Sequence, residues 1–129
     1  MLLTPEAMDL MLDRMWATAP GALVEVGLLT GDPLTDGVEL DPVQCPGYAR
    51  YVVTSYGSFW LPADGGSKSS NPFTLAAATD GWDQVGAWEC IFVDGVAFDA
   101  APLADSVQVD EAGPGPLLQI VRLFNTGLL

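Results

Sequence analysis

The chain has 129 residues, with 17 acidic side chains against 4 basic ones and no histidine, for a formal net charge of −13. A single domain of this length buries about two-thirds of the surface that its unfolded chain exposes, so neither a metal nor a disulfide is required to hold it. Half of the residues are apolar and only 16% are charged, which excludes a disordered acidic tail. Arg14, Arg50, Lys68 and Arg122 stand singly, so there is no basic stripe to release counterions from a nucleic-acid backbone. The same sign disfavours anionic membrane surfaces, and no apolar run reaches the roughly 20 residues of a spanning helix.

The opening segment has no positively charged lead, and Glu6, Asp9 and Asp13 interrupt its apolar run, so no signal peptide is read and a cytoplasmic product is expected. Thr4 suits a helix N-cap, Pro5 the first helical position, and Glu6 and Asp9 the positive end of the dipole, while Leu3 can staple onto Met8. Met8, Met11, Leu12, Met15 and Trp16 recur at three- and four-residue spacing, which predicts an amphipathic helix within residues 1–20, ended by Ala19-Pro20-Gly21. From residue 21 the apolar period falls to about two between Gly, Pro and Asp clusters. Strands are predicted over 22–30, 48–56, 59–61, 73–77, 85–93, 96–99, 106–109 and 117–124.

Eight short strands separated by turns predict a mainly β, antiparallel, jelly-roll-like sandwich over residues 21–129, one domain with the helix in front. Asp94-Gly95 marks a two-residue hairpin, because both residues tolerate positive φ. In the strand over 85–93, alternation places Gly86, Trp88, Cys90 and Phe92 on the face expected in the core. Residues 31–37, 62–72 and 110–116 are rich in Gly, Pro, Asp and Ser and read as exposed loops. Cys45 and Cys90 lie in unlike contexts, and two reduced thiols are expected of a cytoplasmic chain, although spacing leaves their pairing open.

Without histidine, a triad, a cysteine–histidine pair and a histidine zinc site are excluded. Gly65-Gly66-Ser67-Lys68 lacks the spacing of a phosphate-binding loop and reads as a flexible loop. Asp32, Asp36, Glu39 and Asp41 are dense enough in oxygen ligands for calcium but do not match a calcium-loop spacing, and turn formation accounts for them. Paired carboxylates could serve glycoside chemistry, but such clefts usually require a larger scaffold, and the acidic residues here fall mostly in turns, where Asp stabilises the turn itself. Neither catalytic residues nor a metal or cofactor site are therefore assigned. Trp60, Trp82 and Trp88 would stack on sugars if they formed an exposed row, and would otherwise fill the core. Met8, Met11, Met15 and Trp16 either cover the sandwich or form a contact stripe for a neighbouring subunit, and they are the candidate interface residues.

Three motifs occur in order: Val26-Gly27-Leu28-Leu29-Thr30-Gly31-Asp32-Pro33 after the helix, Gly47-Tyr48-Ala49-Arg50, and Ala77-Ala78-Thr79-Asp80-Gly81-Trp82-Asp83-Gln84-Val85-Gly86-Ala87-Trp88 before the hairpin. In this order, from about residue 5 to 124, the chain resembles small tail-fibre-like or minor tail virion proteins of tailed bacteriophages. It departs from that pattern where Ala112-Gly113-Pro114-Gly115-Pro116 interrupts the last strand. The resemblance implies a non-enzymatic virion structural protein, homo-oligomeric at the tail tip, baseplate or fibre base, with itself and other virion proteins as partners. A capsid-decorating protein on the outer head, or a carbohydrate-binding adhesion module with a host surface glycan as partner, are the alternatives.

Overall fold

Apolar side chains at every second position, cut at Gly, Pro and Asp, give a chain that is mainly β, in antiparallel sheets. The structure, a computed structural model, describes residues 4, 6, 7, 9, 10, 23–54 and 56–123. Its elements are β1 (Val24–Leu29), β2 (Tyr51–Val52), a helical turn α1 (Tyr56–Phe59), β3 (Ser67–Ser69), β4 (Phe73–Thr74), β5 (Gly86–Val93), β6 (Val96–Val107), β7 (Leu117–Leu118) and β8 (Val121–Leu123). They form a four-stranded sheet in the order β2-β1-β5-β6 and two two-stranded sheets, β3-β8 and β4-β7. Of the helix expected over residues 1–20, Glu6, Ala7, Asp9 and Leu10 are helical, and apart from them and Thr4 it lies outside the described residues. Ala7 N–H does donate to Thr4 Oγ1 at 3.1 Å, which is the bond expected of an N-cap. No helix among the described residues is long and apolar enough to cross a membrane.

Two compact units are present, one comprising Met1–Gly21, Ser55–Phe73 and Gln119–Leu129, the other Ala22–Thr54 and Thr74–Leu118. In the second unit, β1 pairs with β5 from Val24↔Val93 to Leu29↔Trp88. The β5–β6 hairpin turns at Asp94 (φ 50°) and Gly95 (φ 83°), the two positive angles that the Asp-Gly pair predicts. Asp94 ties the turn to the start of β1: its Oδ1 accepts from Leu23 N–H at 2.8 Å and its own N–H donates to Leu23 O at 2.8 Å.

Several boundaries differ from expectation, each for a reason of context. The strand over 85–93 is expected to bury one face, but Glu89 and Ile91 are buried as well as Cys90 and Phe92, so both faces of the sheet are shielded from water at this stretch of β5. The separate strands over 96–99 and 106–109 are one 12-residue strand, β6. It runs through Pro102, which is tolerated because an edge strand needs pairing on one side only. Of the segment 48–56 only Tyr51–Val52 pairs, since the side chains before it are drawn into a polar cluster. Of residues 59–61, Phe59 ends α1 and Trp60 makes an isolated bridge to Ser70, and 117–124 is divided into β7 and β8.

In the first unit the segment 62–72, expected as an exposed loop, contains β3, paired to β8 through Ser67↔Leu123, Lys68↔Arg122 and Ser69↔Val121. Lys68 and Ser70 are buried. Ser70 is accommodated because its Oγ accepts from Ile120 N–H at 3.0 Å and its N–H donates to Ile120 O at 2.8 Å, so a hydroxyl in the core leaves no polar atom unpaired. Phe59 packs edge-on to Trp60 at 5.0 Å and tilted to Phe73 at 5.3 Å, an aromatic core for this unit.

Candidate interaction surface

The three motifs meet at Tyr48, within the second unit. Glycine at position 27 leaves room beside β1 for the Tyr48 hydroxyl, which a Cβ there would meet at 2.6 Å. That hydroxyl accepts from Leu28 N–H at 3.0 Å and donates to Glu39 Oε2 at 2.7 Å. Arg50 then grips Glu39 with two parallel bonds, Nε to Oε2 at 2.9 Å and Nη2 to Oε1 at 2.8 Å, and reaches Glu25 Oε1 through Nη1 at 3.3 Å. The guanidinium lies 3.6 Å from the centre of the Phe92 ring, a stacked cation–π arrangement. Trp82, from the third motif, meets Tyr48 edge-on at 6.0 Å and donates from Nε1 to Pro46 O at 3.1 Å. Arg50 therefore makes its ion pairs within the subunit.

Charge and burial act in opposition at Glu39. Burial pushes its carboxyl up, but the bonds from Arg50 and Tyr48 and the guanidinium charge outweigh that and hold it below the ordinary carboxylate value of 4.5. Burial, followed by the Glu39 bond, raises Tyr48 far above the ordinary phenol range, and the Glu39 bond raises Arg50, so neither ionisation changes in normal use. A carboxylate depressed by folding adds stability that is present above its unfolded value and is lost as pH falls through the folded one. The stability gap between the native chain and Glu39→Gln, measured as urea midpoints, is thus expected to be full at pH 7 and to close as pH drops below 4.5.

Phe92 carries this cluster into the sheet. Leu29, Cys90 and Phe92 form a buried core, with Trp88 and Ala100 packed against it, and the same Trp88, Cys90 and Ala100 line a groove of about 550 Å³. Its other wall is the turn after β1. Asp32 builds that turn: its Oδ1 accepts from Leu34 N–H at 2.8 Å and its carbonyl accepts from Thr35 N–H at 3.1 Å and Gly37 N–H at 2.9 Å. This Asx-turn explains the Thr-Gly-Asp-Pro signature and holds Leu34 outward at 92% exposure, although it lines the groove. Sequence patterning missed the groove because its walls come from positions about 60 residues apart.

The other candidates fall elsewhere. Met8, Met11, Met15 and Trp16, the expected interface residues, lie outside the described residues. Trp60 and Trp82 are buried and Trp88 is half-buried, so the three do not make the exposed row that sugar stacking needs. Asp32 and Asp41 accept bonds from the loop's own amides, Asp36 accepts from Thr35 Oγ1, and Glu39 serves Arg50. Among the described residues no group of three His, Cys, Asp or Glu side chains is placed to hold a metal. In the first unit the amides of Gly65 and Gly66 donate to the Asp9 carboxylate at 3.2 and 2.7 Å, where a phosphate-binding loop would present them to its ligand. Cys45 and Cys90 form no disulfide and both are buried. Burial raises Cys45 above its ordinary thiol value, helped by Asp41 and Asp83, which makes it a poor nucleophile. No protein-family model and no curated protein matches this chain.

Proposed function

We propose that this chain is a non-enzymatic structural subunit of a tailed-bacteriophage virion, assembled with copies of itself and with other virion proteins at the tail tip, baseplate or fibre base. The observation that carries this reading is the outer edge of β6 beside the apolar groove. A 12-residue terminal strand with Val96 and Phe98 exposed at 69% and 55% invites pairing with another chain. Such an edge suits a protein that works by being covered in an assembly. The order of the three motifs supports the virion setting, and the jelly-roll-like sandwich expected from the sequence belongs to the same reading. The large negative charge keeps the unassembled subunit soluble and away from the genome.

Mass spectrometry and antibody labelling of purified particles from the phage that encodes this chain test the reading. Expected are its peptides at a fixed ratio to the tail proteins and label at the tail. Absence from washed particles overturns the virion role, and label over the head overturns the tail position in favour of a decorating protein. Light scattering on the purified chain across concentrations is expected to show a closed homo-oligomer.

A further inference from the structure

The open edge of β6 has a chemistry that selects its occupant. β6 ends the order β2-β1-β5-β6, and among the described residues no strand pairs with its outer side. The hairpin register runs Ile91↔Asp99 and then Phe92↔Ala97, so Phe98 is an extra residue, a bulge. Bulges re-aim side chains and recur beside functional surfaces. Here the bulge allows Ala97, Phe98, Asp99 and Ala100 all to line one groove, with Trp88 and Cys90 behind them. Its volume of about 550 Å³ falls in the range of about 300–1,000 Å³ that takes ligand groups. Pro102 lacks an N–H and so closes the pairing stretch at Ala101.

Charge decides what kind of chain fits. Arg50 is the only lysine or arginine in the second unit, and Glu39 and Glu25 already neutralise it. Among the described residues the groove is lined by Asp32 and Asp99 and by no cation. The chain as a whole carries a net charge of −13, which repels a second acidic copy and draws in a basic segment.

We propose that the Val96–Ala101 edge of β6 receives an extended, basic segment of another protein, which adds as a strand, seats an apolar side chain in the Trp88–Phe98 groove and sets Lys or Arg against Asp32 on the opposite wall. This rests on the assembly reading above and names the chemistry of one partner. Main-chain bonds supply affinity, the groove supplies register, and the negative charge supplies steering and choice of partner.

The test uses the full chain and a capped nine-residue peptide alternating Lys with Val and Leu, with two controls: its Lys→Glu counterpart, and the Lys peptide N-methylated at every second residue. Hydrogen exchange is expected to slow at residues 96–101 on adding the Lys peptide. The Glu peptide and the N-methylated peptide are expected to bind at least tenfold more weakly, as is the Lys peptide to Phe98→Glu. Raising the salt should weaken the native complex. Phe98 is largely exposed, so Phe98→Glu keeps the fold, which an unchanged far-ultraviolet spectrum checks. Binding that N-methylation and Phe98→Glu leave unchanged would be diffuse charge attraction and would overturn the proposal. So would an absence of binding, or concentration-dependent protection of residues 96–101 in the protein alone, which would put a second copy on the edge. Failure of the virion reading shows in the particles and leaves the peptide result standing, so the two are distinguishable.

Discussion

Gly47→Ala is expected to cost about 3 kcal/mol of folding free energy, from a positive φ and a backbone collision acting together. Gly47 has φ 89°, and a Cβ there would stand 2.4 Å from Ala77 O and 2.9 Å from Thr79 N. These are main-chain atoms that cannot swing aside. Thr79 N–H donates to Pro46 O at 3.1 Å and Trp82 Nε1 to the same oxygen at 3.1 Å, so moving residues 77–79 away would loosen the seat of Trp82. The urea midpoint should fall with the slope unchanged. Gly113→Ala is the control: no atom lies within 4 Å of its Cβ position, and a change under about 0.5 kcal/mol is expected. Equal effects at the two sites would show that the close approach at Gly47 is not what holds the motif.

Arg50→Ala is expected to cost about 2 kcal/mol, and Arg50→Lys to recover less than half of it. Alanine leaves Glu39 and Glu25 side by side with no cation between them, and it strips the face of Phe92. The partial exposure of the group, 26% for the Arg50 side chain, keeps the cost below that of a fully buried pair. Lysine restores the charge but has neither the planar fork for two parallel bonds to Glu39 nor a flat face for the ring. Because Phe92 packs with Cys90 in the core behind the groove, Arg50→Ala should also weaken peptide binding at β6 without touching the edge. A full recovery in Arg50→Lys would reduce the cluster to simple charge balance.

Features that depend on neighbours in the chain were legible from the sequence. The Asp94–Gly95 turn, the turn begun at Asp32 and the mainly β character follow from which residues tolerate positive φ, which side chains bond their own backbone, and a two-residue apolar period. The polar cluster was not legible. Arg50 meets Glu39 across 11 residues and Glu25 across 25, and no local rule distinguishes these carboxylates from the other acidic side chains. Serine and glycine marked residues 62–72 as a loop, yet β3 forms there because β8 supplies its hydrogen-bond partners from about 50 residues away. The groove shares this origin, since its bulge and both of its walls depend on pairing register.

The charge, the lack of histidine chemistry, the turn positions and the preference for strands follow from composition and short-range sterics, which act without knowledge of the fold. The tertiary structure alone decided that β6 is the outer strand, that Trp82 is buried against Tyr48, and that the one cation of the second unit is consumed within it. Those outcomes rest on which distant strands pair and in what register, and long-range pairing selects among many locally equivalent patterns of apolar and acidic residues.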